Sequence, residues 1–293
     1  MPKINSVKEP WPREAALSSL LDDESPAVRN SLVNLFNDNP IKAQGFLNHV
    51  INGSNDLLGK HARALQQELG WTNGKEDFVN FIRSRRYELE TGWYLLDRTV
   101  FPNFDSSGTS LMLDKLADRV RELSISPMDP RQTCSILNRV LFHEYGFRGA
   151  GKNFEDPDNS FIHRVLDNKR GLPITLSLIY ILVARRISFD LEPIGLPNRF
   201  MVGCFSQEIP FYIDVWAGGR FVELESMGSY LGLSTDECSG GILLPVSVAE
   251  TLTRGCRNLV HHFALAGQEN ESSMFQSFVK EFERMRDTER NAS

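Results

Sequence analysis

Residues able to carry nucleophilic or metal chemistry are few in this chain and stand far apart. The cysteines form no Cys-x-x-Cys pair, so the sequence predicts free thiols that mostly fill the core, namely Cys134, Cys204, Cys238 and Cys256. The histidines are isolated too, except for His261 and His262, whose side chains diverge on a helix. We therefore predict no metal site and no cofactor.

A polar run from Asp156 to Ser160 could be taken for a calcium loop. It lacks the spaced carboxylates and the terminal Glu of an EF-hand. The structural interpretation is stronger, with Asn159 or Ser160 capping a short helix predicted over residues 160–167. His163 lies on that helix and could reach a neighbouring cleft, although a lone His beside a polar loop is more often a cap or a surface residue.

The elements that must position these residues follow from apolar spacing. Spacing of three and four predicts helices through most of the first 147 residues. The segment from Leu172 to Ile187 is almost continuously apolar, which indicates a central helix buried on most sides. Four short segments after it are predicted strands, at residues 191–194, 200–205, 211–216 and 220–225. The fold class expected is α+β, mainly helical, with the central helix packed on a small antiparallel sheet.

The flanking regions are predicted to be helical. The phrase from Leu20 to Arg29 resembles the turn of a HEAT-type repeat, and Ser25 before Pro26 predicts an N-cap with proline in the first helical position. Two amphipathic helices near the C-terminus resemble one tetratricopeptide-like hairpin. We predict a HEAT-like region over residues 1–75, a core with its helical lead-in over 76–245, and the hairpin over 246–293.

A chain of short motifs runs from Phe147 to Arg220. In order they are Phe147-Arg148-Gly149, Asp156-Pro157-Asp158-Asn159-Ser160-Phe161, Arg170-Gly171-Leu172-Pro173-Ile174-Thr175-Leu176-Ser177, Ala184-Arg185-Arg186, Gly195-Leu196-Pro197-Asn198-Arg199-Phe200, Ile213-Asp214 and Gly218-Gly219-Arg220. This run resembles the transglutaminase-like core of the bacterial SirB-type proteins, in the papain-like superfamily. The resemblance implies a nucleophilic thiol at the start of the central helix, a His base on a neighbouring strand, and an Asp or Asn that orients the His.

Carried over by this resemblance, the catalytic positions are degenerate. The nucleophile position falls on Pro173, which has no nucleophilic atom, and a shift of two residues would place Thr175 there. The base position falls on Arg199, whose guanidinium stays protonated and cannot accept a proton. The orienting position is Asp214, as in the family. Our hypothesis is that an Arg199–Asp214 ion pair replaces the His–Asp pair, and the alternative is that both side chains face solvent separately.

Other side chains could supply a nucleophile or bind an anion in place of the missing catalytic residues. Thr175 and Ser177 are hydroxyls near the helix start, but they lack a base. Cys204 lies five residues after Arg199, so strand alternation puts it on the opposite face, where we expect a buried thiol. Arg148 and Arg170 could bind an anion near the helix N-terminus. The predicted cleft residues are Asn159, Arg170, Thr175, Ser177, Arg199 and Asp214.

Composition narrows the class of function. The 293 residues carry a formal net charge of -6, and the Lys and Arg residues are scattered, so we predict no nucleic-acid partner. No secretory signal and no membrane span are visible, which predicts a cytoplasmic protein.

Three hypotheses about function remain. The favoured one is a non-catalytic binding or regulatory module that contacts a protein partner. The alternatives are a divergent hydrolase or acyl transferase that uses Thr175, Ser177 or Cys204, and a helical-repeat scaffold in which the core is a structural insert.

Overall fold

The structure is a computed structural model. It describes residues 11–23, 25–51, 53, 55–69, 74–102, 104–125, 128–197, 199–232 and 243–290. The predictions made for the first ten residues, Asn198 and Cys238 therefore lie outside the described residues. The chain divides into two compact units, Met1–Asn73 and Gly74–Ser293, so the predicted hairpin belongs to the same unit as the core. The predicted three-part division stays a prediction.

The described residues of the first unit form four helices. They are α1 (Glu14–Leu21), α2 (Pro26–Asp38), α3 (Pro40–Ile51) and α4 (Asp56–Glu68). Their apolar stripes meet in a separate small core that includes Leu17, Phe36, Leu47 and Leu65. Ser25 is the N-cap of α2 and Pro26 its first residue, as predicted, but the Ser25 side chain makes no capping hydrogen bond.

The second unit begins with helices that surround the core. They are α5 (Gly74–Ser84), α6 (Leu89–Arg98), α7 (Ser106–Leu123) and α8 (Pro130–Asn138), the last continued by a π-helical turn over Arg139–Glu144. Two short strands, β1 (Arg148–Gly149) and β2 (Arg170–Gly171), pair in parallel on either side of helix α9 (Ile162–Asn168).

Helix α10 (Pro173–Arg186) is the predicted central helix, and every residue from Ile174 to Ala184 is buried. Proline in the first position costs no hydrogen bond, because the first N–H groups of a helix have no partner within it. The polar end of Tyr180 is satisfied inside the core, where its hydroxyl donates to the carbonyl of Cys134 at 3.1 Å or to Asn138 Oδ1 at 3.0 Å.

The four predicted strands form one antiparallel sheet in the order β3-β4-β5-β6. The strands are β3 (Glu192–Leu196), β4 (Arg199–Cys204), β5 (Phe211–Asp214) and β6 (Arg220–Glu223). One face presents Phe200, Val202 and Ile213 to the large core that contains α10. The other face belongs to a small core of its own with Met201, Tyr212 and Val222, covered by helix α11 (Met227–Leu231). Alternation along each strand therefore directs the buried apolar side chains to one of two cores.

The cap of α9 corrects a prediction. Neither Asn159 nor Ser160 caps this helix, because its N-cap is Phe161 and no side chain there makes a capping bond. The carboxylate of Asp97 on α6 accepts from the backbone N–H groups of Ile162 at 3.3 Å and His163 at 3.2 Å. A residue distant in sequence thus satisfies the free donors of the first turn.

Two long helices end the described chain, α12 (Val248–Leu265) and α13 (Glu269–Arg290), and they form the predicted hairpin. Helix α12 packs closely on α6 because glycines face the larger side chains, Gly92 opposite Leu252 and Gly255 opposite Trp93. The Trp93 indole is fixed by donating to the carbonyl of Ser160 at 3.0 Å.

The α+β fold class is confirmed, with helices outnumbering strands and one small antiparallel sheet against a central buried helix. Within the described ranges, no helix combines the length and the apolar character needed to cross a bilayer.

The contact between Gly255 and Trp93 predicts that Gly255→Ala destabilises the protein. A methyl group at Gly255 would lie 2.8 Å from Trp93 Cη2, and the indole is held by its hydrogen bond. We expect the free energy of unfolding of the second unit to fall by about 1–3 kcal/mol, despite the gain in helix propensity. Urea denaturation followed by far-UV circular dichroism measures it.

The matched control is Gly45→Ala in α3, where nothing lies within 4 Å of the added methyl. That variant should be neutral or up to about 1 kcal/mol more stable. Equal effects of the two substitutions would contradict the packing described for α6 and α12.

Candidate functional site

The start of α10, where the family resemblance places the nucleophile, carries no reactive group. Pro173 is the first residue of the helix, and Leu172 is its N-cap with φ -74° and ψ 162°. Thr175 and Ser177 are both fully buried, and neither hydroxyl has a hydrogen-bond partner among the described residues. A nucleophilic hydroxyl needs a base and access for the substrate, and these two have neither.

The base and orienting positions are joined by an ion pair. Arg199 Nη1 lies 3.0 Å from Asp214 Oδ2, so the ion pair of our hypothesis is present. The Asp214 side chain is 2% exposed, whereas that of Arg199 is 39% exposed. The carboxylate is therefore a fixed buried charge, and the guanidinium reaches from it to the surface.

Tyr230 completes this arrangement, and sequence reasoning did not identify it. Its hydroxyl donates to Asp214 Oδ2 at 2.7 Å, and the guanidinium of Arg199 lies 4.9 Å from the centre of its ring. Burial, then the hydrogen bond to Asp214, raise the pKa of Tyr230. The N–H of Ala217 donates to Asp214 Oδ1 at 3.0 Å. Both carboxylate oxygens are therefore occupied.

The Arg199–Asp214 pair lies on the sheet face that α10 does not cover. Leu196 pairs with Arg199 across β3 and β4, and Leu196 belongs to the small core under α11. Helix α10 packs in the large core with the opposite face of β4, including Phe200 and Cys204. The apolar residues of α10 and the Arg199–Asp214 pair are therefore on opposite faces of the sheet.

The other predicted cleft residues lie beside β1 and β2. Asn159 Nδ2 donates to the carbonyl of Asn153 at 2.6 Å, and its own carbonyl accepts from the N–H of Leu172 at 3.2 Å. Arg170 is exposed and donates to the carbonyls of Gly146 and Lys169. The six predicted cleft residues thus occupy three places: beside these strands, inside α10, and on the far face of the sheet.

The described cysteines are buried free thiols. Cys134, Cys204 and Cys256 form no disulfide and are fully buried. Burial raises the pKa of the Cys134 thiol to about 12, and it raises that of Cys256 further still. A reactive thiol needs a lowered pKa and solvent access. Cys204 lies on the face opposite Arg199, as predicted, and its Sγ is 3.1 Å from Ser206 Oγ.

His163 has a structural partner that the sequence did not reveal. Its Nδ1 lies 2.6 Å from Asp97 Oδ2, and Asp97 is fully buried. Burial raises the pKa of Asp97, and the hydrogen bonds from His163 counteract this effect. The pair holds α9 against α6. Within the described part of the chain, no group of three or more His, Cys, Asp or Glu side chains could hold a metal ion.

The buried network around Asp214 predicts that Asp214→Asn destabilises the second unit. The substitution keeps the shape but removes the charge that pairs with Arg199 and accepts from Tyr230. We expect the free energy of unfolding to fall by about 1–3 kcal/mol. Glu223→Gln is the matched control, because it breaks an exposed Arg131–Glu223 pair on the same sheet and should cost less than about 0.5 kcal/mol. Equal losses would show that the Asp214 network contributes nothing beyond a surface ion pair.

The buried thiols predict slow alkylation. In native protein at neutral pH, iodoacetamide should leave Cys134, Cys204 and Cys256 unmodified, whereas all three should react in denaturing urea. Peptide mass spectrometry measures each site separately. Rapid labelling of Cys204 in native protein would instead support a relocated nucleophile.

Comparison with known proteins agrees with this architecture. The family model for the transglutaminase-like superfamily matches residues 109–257, just over half of the chain. A UPF0162 protein of Xylella fastidiosa is 29% identical over 175 residues, which cover 56% of this chain and 61% of that protein. A UPF0162 protein of Vibrio cholerae is 24% identical over 145 residues, covering 49% and 53%.

A mouse protein, F-box only protein 21, is 28% identical over 137 residues, covering 44% of this chain and 21% of its own length. The matched regions thus span less than two thirds of these relatives, and no solved structure matches the chain. The resemblance to a transglutaminase-like core inferred from the motifs is confirmed. The chain belongs to the transglutaminase-like superfamily.

Proposed function

We propose that this protein is a non-catalytic member of the superfamily that acts by binding a protein partner. The observation that carries the proposal is the Arg199–Asp214 ion pair. A guanidinium cannot serve as a general base, and the carboxylate that would orient a base already accepts hydrogen bonds from Arg199, Tyr230 and Ala217.

The alternative of a divergent hydrolase or acyl transferase has less support. Its candidate nucleophiles Thr175, Ser177 and Cys204 are fully buried, and no histidine or carboxylate of the described ranges forms a hydrogen bond with them. Covalent catalysis needs a nucleophile within hydrogen-bond reach of a base, on a surface that the substrate can approach.

The relatives support a binding role for the core. In the mouse F-box only protein, the matched region covers 21% of the length, so a core of this kind is one part of a longer chain there. A core that recurs inside proteins of different length is compatible with use as a module.

We place the partner contact at the Arg199 end of the sheet. The guanidinium groups of Arg199 and Arg220 lie 4.9 and 5.0 Å from the centre of the Tyr230 ring, and Arg220 is exposed. Among the residues that the structure describes, no carboxylate lies within ion-pair distance of Arg220. Two cations held on one aromatic ring suit an acidic segment of a partner protein, since electrostatic complementarity guides such contacts.

The proposal predicts two results. Purified protein should show no amide hydrolysis and no acyl transfer to amines above the rate in buffer, and Arg199→Ala should change neither. A partner isolated by crosslinking and then purified should bind the Arg220→Glu variant at least about tenfold more weakly, because the substitution reverses a charge at the contact. Calorimetry measures the dissociation constant.

Lys60→Glu is the control, an exposed charge reversal on α4 of the first unit. It should leave the affinity unchanged. Turnover that Arg199→Ala abolishes would overturn the non-catalytic assignment. Loss of binding in Lys60→Glu but not in Arg220→Glu would move the contact to the N-terminal helices and favour the helical-repeat scaffold.

A further inference from the structure

A groove of about 800 Å³ lies where the end of β3 meets the helices α12 and α13. Its apolar lining includes Leu196, Phe200, Phe282, Met285 and the ring of Tyr87. The volume is in the range of ligand sites, which are concave, largely apolar and supplied with a few polar groups that orient the ligand. Neither the Arg199–Asp214 pair nor the start of α10 contributes a side chain to it.

Arg254 is the polar group that distinguishes this groove. Its guanidinium is partly buried, and Nη2 donates to the backbone carbonyl of Arg199 at 2.9 Å. Gly195 on β3 lies beside it, since a methyl group built there would be 3.6 Å from Arg254 Nη1, an ordinary van der Waals distance. The guanidinium lies 5.5 Å from the centre of the Phe200 ring, which helps to fix its orientation.

The charge of Arg254 is not compensated within the described protein. No carboxylate of the described ranges lies within ion-pair distance, and only one hydrogen bond from its guanidinium is present there. Burial lowers the pKa of Arg254, yet a guanidinium remains protonated at neutral pH. A partly desolvated cation without a counter-ion costs free energy that an anionic ligand would offset.

The two carboxylates that line the groove are already engaged. Glu283 pairs with Arg257 at 2.9 Å. Glu250 accepts from the N–H of Ser247 at 2.9 Å in the capping box of α12. They therefore leave the charge of Arg254 available.

We infer that this groove binds a small amphiphilic monocarboxylate. Its planar carboxylate accepts from the guanidinium of Arg254, whose fork of donors matches that geometry. Its apolar body lies along the aromatic and aliphatic side chains of Tyr87, Phe282 and Met285. This site is independent of the proposed partner contact around Arg220, so either could exist without the other.

Calorimetric titration of the purified full chain with octanoate tests the inference. Octanoate should bind with one site per chain. Octanol, which has the same apolar chain and no charge, should bind at least about tenfold more weakly. No octanoate binding at millimolar concentration, or equal affinity for octanol, would overturn the inference.

Substitutions locate the site. Arg254→Met keeps most of the apolar length and should weaken octanoate binding by about 10- to 100-fold, whereas Arg254→Lys should retain part of the affinity. Arg286→Met removes a charge from an exposed side chain of the same groove and should change the affinity less than about threefold. A larger loss in Arg286→Met than in Arg254→Met would overturn the role given to Arg254.

The thermal midpoint of Arg254→Met is measured first, to show that this variant is folded. A second variant tests the groove independently of Arg254. Ala249→Phe places a ring in the groove from a partly exposed position on α12 and leaves Arg254 in place. It should abolish octanoate binding by occupying the volume. Unchanged binding in a folded Ala249→Phe variant would place the ligand elsewhere and reject the groove.

Discussion

Every residue of α10 from Ile174 to Ala184 is buried, so this helix must be covered on all sides. The sheet covers it through Phe200 and Val202, and helices before and after it close the remaining sides. Burial of such an apolar helix stabilises the folded state only when the surrounding elements cover it on every side. The helices α5 to α9, the sheet and the C-terminal hairpin therefore belong to one compact unit around it.

The same constraint shapes the start of the helix. A catalytic thiol of the papain-like type needs a helix N-terminus that substrate can reach. Here the first turn begins with Pro173, and the next hydroxyls point into the core. The packing that makes α10 a rigid centre also leaves no exposed reactive group on its first turns.

On the opposite face of the sheet, Arg199 stands where the family resemblance implies a His, and this difference removes the capacity to accept a proton. A His in the position of Arg199 could exchange protons with a neighbour, whereas an Arg holds a permanent charge. Asp214 and Tyr230 fix that charge in place. Our proposals assign the recognition of negative charge to the exposed Arg220 beside this pair and to Arg254 in the groove beside α12.

Local patterns in the sequence determined the central helix and the four strands, and the family resemblance led to the Arg199–Asp214 pair. Continuous apolar residues define α10, and short runs of strand-forming residues between turns define the strands, so these elements need only short-range information. The tertiary structure alone decided the rest. Asp97 caps α9 from 65 residues away, Tyr230 closes on Asp214 from a later helix, and Arg254 meets the end of β3 from the C-terminal hairpin. Such contacts depend on how elements distant in sequence pack together. Hydrophobic periodicity predicts the elements, but it does not predict which polar side chains their packing brings within hydrogen-bond distance.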